Sequence, residues 1–201
     1  IVMPKVMVIT PTYNEADNVP LRIEQLFALG IDDLSFLIVD DNSPDGTADI
    51  ARNLQAIYGD RLHVMCRTEN RGFGPSYLDG FQYALDHGAE IIVQMDADGS
   101  HQPKYLPGIL AAIGDADIVI GSRYTQGGSV EEAWGWWRKA LSAWANRIYV
   151  PTILNINVKD ATGGYRAWKR DALEAVLKYN IRSTGYVILI EMIYIASRLG
   201  Y

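Results

Sequence analysis

The chain has 201 residues, 49% hydrophobic and 21% charged, which is typical of a globular domain with a sizeable core. Its formal net charge of −6 excludes a general nucleic-acid-binding protein, because such proteins present a basic surface to phosphates. Cys66 is the single cysteine, so an intramolecular disulfide is excluded and a reducing, cytoplasmic compartment is favoured. No apolar run reaches the roughly 18–20 residues that span a bilayer.

Short apolar runs rich in β-branched residues predict buried strands. Four are well marked and a fifth, His63–Cys66, reads as a weaker or edge strand; the four are Val6–Thr10, Phe36–Asp40, Ile91–Met95 and Ile118–Gly121. Helical patterns lie between and after them, over residues 18–28, 45–57, 75–86 and 171–177. This alternation predicts an α/β fold, a doubly wound and mainly parallel sheet with helices on both faces.

Polar residues follow the predicted strands, at the sheet edge where ligands bind in such folds. Pro11, Tyr13 and Glu15 follow the first strand and could form one wall of a nucleoside slot. Asp40 and Asp41 follow the second and offer acceptors for a ribose hydroxyl or a base N–H. The alternative for the two aspartates is that they cap the helix that follows Gly46.

Asp96 and Asp98 lie two residues apart at the end of a predicted strand, so both carboxylates can reach one point. Two such close charges favour a bound cation, and hard oxygen ligands suit Mg²⁺ or Mn²⁺. Such a metal would neutralise a departing diphosphate. His101 is either a third ligand or a structural hydrogen-bonding group. Alternatively, Asp98 caps a helix beginning near Pro103 and Asp96 is solvated.

Three further charged residues have less specific surroundings. Arg71, in a Gly-rich turn, is a candidate for a phosphate contact. Asp160 is a candidate for contacting a sugar or a metal. Glu191 lies within an apolar helical run, where a carboxylate needs a partner, and we expect an arginine to supply it.

Taken together, the motifs resemble those of the polyprenol-phosphate (dolichol-phosphate) mannose synthases, inverting glycosyltransferases of the GT-A fold. The matching stretches run in the family's order along nearly the whole chain. They are P-T-Y-N-E at 11–15, V-D-D-N-S-P-D-G-T at 39–47, N-R-G-F-G at 70–74, M-D-A-D-G-S-H at 95–101, G-S-R-Y at 121–124, W-G-W-W-R at 134–138, D-A-T-G-G-Y-R at 160–166 and G-Y-V-I-L-I-E-M at 185–192.

The resemblance implies a metal-dependent enzyme that moves a sugar, mannose from GDP-mannose, to a polyprenyl phosphate at the cytoplasmic face of a membrane. It also implies roles for particular residues. Nucleoside contacts would come from Pro11, Tyr13, Glu15 and the Asp40–Asp41 region, metal–diphosphate contacts from Asp96 and Asp98 with Ser100 near a further metal contact, and acceptor-phosphate contacts from Arg123 and Arg138.

A phosphate acceptor agrees with the residues present. A sugar hydroxyl needs a general base, whereas a phosphate is already anionic and needs cations, which arginine supplies in bidentate form. The alternative enzyme is a hydroxyl-acceptor transferase, or one with a donor such as UDP-glucose, using Glu131, Glu132 or Asp160 as base. A binding module that has lost turnover is the alternative from another class.

Residues 126–150 are expected to form an acceptor loop and an amphipathic helix. In the helix, an apolar stripe faces away from a basic flank that includes Arg138; the stripe is Trp134, Trp137, Leu141, Trp144 and Ile148. This pattern suits a helix in the membrane interface, with a core-packing helix as the alternative. We expect residues 1–201 to be one catalytic domain, with more chain in the parent protein after the last helical pattern.

Overall fold

The computed structural model describes residues 4–122, 158 and 160–201. Within these residues, six strands form one sheet in the order β3–β2–β1–β4–β6–β5. The strands are β1 (Val6–Thr12), β2 (Leu34–Asp40), β3 (Leu62–Cys66), β4 (Ile91–Gln94), β5 (Ile118–Ile120) and β6 (Arg166–Lys169).

The centre of the sheet is parallel, as predicted. β1 pairs in parallel with β2 on one side and β4 on the other, so that Val8 lies beside both Phe36 and Val93. β3 continues the parallel order at the edge. The carboxyl ends of β1, β2 and β4 therefore meet at one edge, which brings the loops after them together.

β6 was not predicted. It inserts between β4 and β5 and runs antiparallel to both. Its four residues include two charged ones, so the segment lacks the apolar run that marks the other strands. It is held by tertiary contacts: Trp168 is fully buried, and its indole Nε1 donates a hydrogen bond of 2.8 Å to Oε1 of Gln94 on β4.

Helices cover both faces of the sheet. They are α1 (Val19–Phe27), α2 (Thr47–Tyr58), α3 (Phe73–Asp86), α4 (Leu106–Ala112), α5 (Arg170–Leu177) and α6 (Val187–Leu199). One apolar cluster packs α1, α2 and α4 against Val6, Val8 and Phe36, and a second packs α3, α5 and α6 against Met7 and Ile9. The alternation of Val6, Met7, Val8 and Ile9 between the two clusters is that of a strand buried on both faces.

Most predicted boundaries agree with the structure to within two or three residues. α3 begins at Phe73, so Pro75 lies in its first turn, where a missing N–H breaks no helical hydrogen bond. The aspartate at the start of α2 is Asp45, which accepts from the backbone N–H and the hydroxyl of Thr47, whereas Asp40 and Asp41 have other partners.

Among the described helices, none combines the length and the apolar character needed to cross a membrane. The predicted acceptor loop and amphipathic helix at 126–150 lie outside the described residues.

Candidate active site

A cleft of about 500 Å³ opens at the carboxyl ends of β1, β2 and β4, a size usual for small-molecule sites. Six of the predicted site residues line it together: Pro11, Tyr13, Glu15, Asp41, Asp96 and Asp98. Arg71 also lines the cleft, as do residues for which the sequence suggested no role, including Phe73, Ser76 and Tyr186.

The loop after β1 is anchored by its backbone, which leaves its side chains for the cleft. The backbone N–H of Glu15 donates to Oγ1 of Thr47 at 3.0 Å, and that of Ala16 donates to Oδ2 of Asp45 at 3.0 Å. The hydrogen bonds from the hydroxyl of Thr47 and from the backbone N–H groups of Ala16 and Thr47 hold the pKa of Asp45 below its usual range. Tyr13 remains half exposed, and the guanidinium of Arg71 lies over its ring, 5.0 Å from the centroid.

The two adjacent aspartates after β2 have different surroundings. Asp40 is fully buried beneath the cleft and is not among its lining residues. Its carboxylate accepts hydrogen bonds from the hydroxyls of Thr12 and Ser43 and from the backbone N–H of Ser43. Asp41 lines the cleft and accepts from the backbone N–H of Gly72 at 2.6 Å. Contact with a ligand is therefore proposed below for Asp41 and not for Asp40.

Arg67 holds Asp41 in place, and the sequence analysis missed it. Its Nη1 contacts Oδ1 of Asp41 and the hydroxyl of Ser76, while Nε donates to Oδ2 of Asp79 at 2.7 Å. Nη2 donates to the carbonyl of Asn70 at 2.7 Å. Arg67 directly follows β3 at the edge that carries the acidic strand ends, and this position is the signal that could have identified it.

Asp96 is oriented from below by Tyr77 of α3, whose hydroxyl donates to Oδ1 of Asp96 at 2.9 Å. Burial raises the pKa of Asp96, the His101 ring and the Tyr77 hydrogen bond oppose the rise, and the neighbouring charge of Asp98 adds to it. Asp98 is exposed at the cleft surface and accepts at Oδ1 from the backbone N–H of Ser100 at 2.9 Å. Two negatively charged groups held this way favour a nearby cation.

The loop that carries the two carboxylates is supported from α1. Nε of Arg22 donates to the carbonyl of Ala97 at 3.3 Å. Gly99 has a φ of +93°, and a Cβ there would meet Nη2 of Arg22 at 2.6 Å. The turn therefore requires glycine for two reasons, its left-handed backbone and the close approach of the arginine.

His101 acts as a hydrogen-bonding group, the second of the two roles expected for it. Its Nδ1 accepts from the backbone N–H of Asp96 at 2.9 Å, so that nitrogen is occupied and is not free to bind a metal. The same nitrogen lies 3.6 Å from Oδ2 of Asp96. A Cβ on Gly164 would come within 2.9 Å of the His101 ring and 3.3 Å of Oδ2 of Asp96.

The donor set of the cleft fits a hard divalent cation. Asp96 and Asp98 supply carboxylate oxygens, and phosphate oxygens of a ligand can complete the shell, as is usual for Mg²⁺. Among the described residues, no three His, Cys, Asp or Glu side chains form a metal-binding group on their own. Ser100 is exposed and is not among the residues that line the cleft.

Two other charged residues predicted from the sequence, Asp160 and Glu191, are not among the residues that line the cleft. Asp160 is fully buried and accepts from the hydroxyl of Thr162 at 3.1 Å. The arginine expected for Glu191 is Arg182, whose charge lowers the pKa of the carboxylate. The carboxylate also accepts from the backbone N–H groups of Arg182 and Ser183, because the preceding loop folds back over α6. Four predicted residues lie outside the described part of the chain, namely Arg123, Glu131, Glu132 and Arg138.

Comparison with known proteins agrees with this geometry. Residues 7–177 match the sequence profile of glycosyl transferase family 2. The chain belongs to this family. The matched range contains the sheet and most of the cleft, including Asp41, Asp96 and Asp98, and it ends before Tyr186.

Two curated relatives show which members of the family this chain is similar to. The chain is 42% identical to an undecaprenyl-phosphate mannosyltransferase from Micrococcus luteus, over 98% of this chain and 79% of the relative. It is 41% identical to a polyprenol monophosphomannose synthase from Mycolicibacterium smegmatis, over 98% of this chain and 74% of the relative. The resemblance to the polyprenol-phosphate mannose synthases is confirmed.

Solved structures show the same fold. Glucosyl-3-phosphoglycerate synthase from Mycobacterium tuberculosis, in complex with Mn²⁺, UDP-glucose and phosphoglyceric acid, superposes with a TM-score of 0.69 at 19% identity. The match covers 98% of this chain and 66% of that chain. The predicted GT-A-type α/β architecture is therefore confirmed.

Proposed function

We propose that this chain is a glycosyltransferase that moves mannose from GDP-mannose to the phosphate of a polyprenyl lipid at the cytoplasmic face of a membrane, with inversion at the anomeric carbon. The observation that carries the proposal is that the Asp96–Asp98 carboxylate pair lines the same cleft as Tyr13, Glu15 and Asp41. The curated relatives at 41–42% identity, whose names state a polyprenyl or undecaprenyl phosphate acceptor and mannose, support the choice of substrates.

Each wall of the cleft has a part in donor binding. Pro11 and Tyr13 provide apolar contact for the nucleoside, and Glu15 and Asp41 provide acceptors for its hydroxyl and N–H groups. Arg71, stacked on Tyr13, is placed to meet a phosphate oxygen. Asp96 and Asp98 would hold Mg²⁺ or Mn²⁺, which would supply charge neutralisation to the leaving diphosphate. Ser100 is exposed beside Asp98, and a metal contact from it stays a prediction.

The reaction is a single displacement. An oxygen of the lipid phosphate attacks the anomeric carbon and forms the new C–O bond, while the bond from that carbon to the diphosphate oxygen breaks and its electron pair leaves with the nucleoside diphosphate. No proton has to be removed from the nucleophile, because the phosphate is already anionic. Arg123 and Arg138 are proposed to bind that phosphate in bidentate contacts.

One described residue bears on the alternative of a hydroxyl acceptor. A general base has to lie within hydrogen-bond reach of the attacking group. Asp160, one of the three carboxylates considered for that role, is fully buried and does not line the cleft.

The test is transfer of radiolabelled mannose from GDP-mannose to polyprenyl phosphate in vesicles, with and without Mn²⁺. We expect metal-dependent labelling of the lipid that is lost in Asp98→Asn. The matched control is Asp86→Asn, which removes a carboxylate from the far end of α3 and should keep full activity. Labelling only from UDP-glucose, or only on a hydroxyl acceptor, would contradict the proposed substrates.

A further inference from the structure

The cleft has an aromatic wall that comes from the far end of the chain. Tyr186, immediately before α6, lines the cleft together with Asp96 and Asp98, whereas the other described lining residues lie between positions 11 and 98. Tyr186 also lies outside residues 7–177, the range that matches the family profile. Tyr186 is therefore not among the residues that match the family profile.

The segment that presents Tyr186 is held firmly. The carboxylate of Glu191 accepts from the backbone N–H of Ser183 at 2.7 Å and from that of Arg182 at 3.1 Å. Gly74 at the start of α3 lies against the segment, since a Cβ there would be in ordinary van der Waals contact with it, 3.6 Å from the carbonyl oxygen of Ser183 and 3.8 Å from the backbone nitrogen of Gly185. Gly185 has a φ of +57°, which makes the turn immediately before Tyr186.

The Tyr186 ring packs on one side and is open on the other. It contacts the ring of Phe73, with 4.3 Å between the centroids and 39° between the planes. Despite this contact the side chain is 68% exposed. A large aromatic side chain that is fixed in position, yet uncovered in a cleft, is a surface suited to a ligand.

Residues 71–73 each contact a different part of the cleft. Arg71 lies over Tyr13, Gly72 donates its N–H to Asp41, and Phe73 contacts Tyr186. The loop thus runs from the nucleoside wall to the Tyr186 wall. Tyr186 lines the same cleft as Asp96 and Asp98, the two carboxylates proposed to bind the metal and diphosphate.

A glycosyl ring is bonded directly to the distal phosphate of a nucleotide sugar. A side chain that lines the cleft together with Asp96 and Asp98, the carboxylates proposed to bind the metal and diphosphate, is therefore a candidate for contact with this ring. A hexosyl ring has apolar C–H faces as well as hydroxyls, and a tyrosine offers both an apolar ring and a hydroxyl.

We propose that Tyr186 is a substrate-positioning residue that contacts the transferred glycosyl ring at the Phe73 end of the cleft and contributes to sugar selection. The inference rests on the proposed function, since it assumes a nucleotide-sugar donor in this cleft.

The test compares binding of a nucleotide with binding of its sugar conjugate. Dissociation constants for GDP and GDP-mannose are measured by calorimetry with Mn²⁺ for the wild type, Tyr186→Ala and Tyr186→Phe. UDP and UDP-glucose are measured in parallel. We expect Tyr186→Ala to weaken binding of the sugar conjugate about tenfold, the equivalent of one good polar contact, and to leave nucleotide binding within about twofold. Tyr186→Phe removes the hydroxyl and keeps the ring, so it measures the contribution of the hydroxyl to binding separately from that of the ring.

The matched control is Tyr179→Ala, which removes an exposed tyrosine that does not line the cleft. It should leave all four constants unchanged. Equal weakening of nucleotide and conjugate in Tyr186→Ala would overturn the inference, as would unchanged conjugate binding, whether or not the KM for polyprenyl phosphate rises. The ratio of the dissociation constants for a nucleotide and its sugar conjugate does not depend on the acceptor. A failure of lipid labelling would therefore count against the proposed function alone.

Discussion

The buried hydroxyl of Tyr77 donates a hydrogen bond of 2.9 Å to Oδ1 of Asp96. This contact joins the helix behind the sheet to one of the two carboxylates proposed to hold the metal. Burial raises the pKa of Tyr77 well above its usual value, so the hydroxyl stays a donor across the physiological range. Asp96 is thereby restricted to one orientation.

Removing this hydroxyl should weaken metal binding without disturbing the core. We expect Tyr77→Phe to lower the affinity of the GDP-bound protein for Mn²⁺ by about 10–100-fold, the usual effect of losing a partner of a metal ligand. Electron paramagnetic resonance of free Mn²⁺ during titration measures it. Tyr83→Phe is the control, because Tyr83 lies on the same helix and bonds to His63 instead. Equal affinities for wild type and Tyr77→Phe would show that the contact does not position the ligand.

The ion pair between Arg67 and Asp41 should be the most sensitive polar contact of the described site. Arg67 is 5% exposed and Asp41 is 6% exposed, so Arg67→Met leaves a buried charge without its partner. We expect the free energy of unfolding to fall by about 3–5 kcal/mol in urea titrations. Arg52→Met, which breaks an exposed pair with Asp49, should cost less than about 1 kcal/mol. Similar losses for both variants would contradict the buried-pair interpretation.

Two glycines in helices should respond to alanine in opposite directions. At Gly80 of α3, a Cβ would meet Cγ2 of the buried Ile9 at 2.6 Å, so Gly80→Ala should destabilise the fold by about 1–3 kcal/mol despite a better helix propensity. At Gly108 of α4 nothing lies within 4 Å, and Gly108→Ala should stabilise by roughly 0.5–1 kcal/mol. Thermal unfolding of both variants gives the comparison. A stabilising Gly80→Ala would mean that α3 is not packed this closely on β1.

Glu191 should make stability depend on pH in the acid range. Although partial burial raises its pKa, the hydrogen bonds from Ser183 and Arg182 and the charge of Arg182 together outweigh burial and hold the pKa below the ordinary value of 4.5. A depressed carboxyl pKa contributes stability that is fully present above the unfolded-state value and is lost as pH falls through the folded-state value.

The variant Glu191→Gln should therefore remove part of the stability at neutral pH, and its unfolding midpoint should fall less steeply than that of the wild type below about pH 4.5. Urea unfolding from pH 7 to pH 3 measures the difference. Glu174→Gln is the control, since Glu174 makes a half-exposed pair with Arg170 on α5. Parallel curves for wild type and Glu191→Gln would rule out this role for the carboxylate.

The amino-acid sequence was sufficient for the parallel half of the sheet and for the residues at its edge. Buried parallel strands must be apolar on both faces, so β1, β2 and β4 are visible as apolar runs. The edge where their carboxyl ends meet follows from the fold class, so Tyr13, Asp41, Asp96 and Asp98 could be named from position. β6 has no such run, because it begins with a charged residue, Arg166. This side chain can be buried because it donates to three backbone carbonyls, and the local sequence does not reveal those partners.

What only the tertiary structure decided is which of the polar residues face the cleft. Asp40 and Asp41 are adjacent and chemically identical, yet Asp40 is satisfied beneath the surface by Thr12 and Ser43 while Asp41 lines the cleft. Arg67 and Tyr186 reach the site through contacts with residues distant in sequence from them, Asp41 and Phe73 respectively. Composition and spacing determine which chemistry a chain can carry at a sheet edge. The partners that satisfy each buried polar group determine which side chains remain for a ligand, and those partners are brought together by folding.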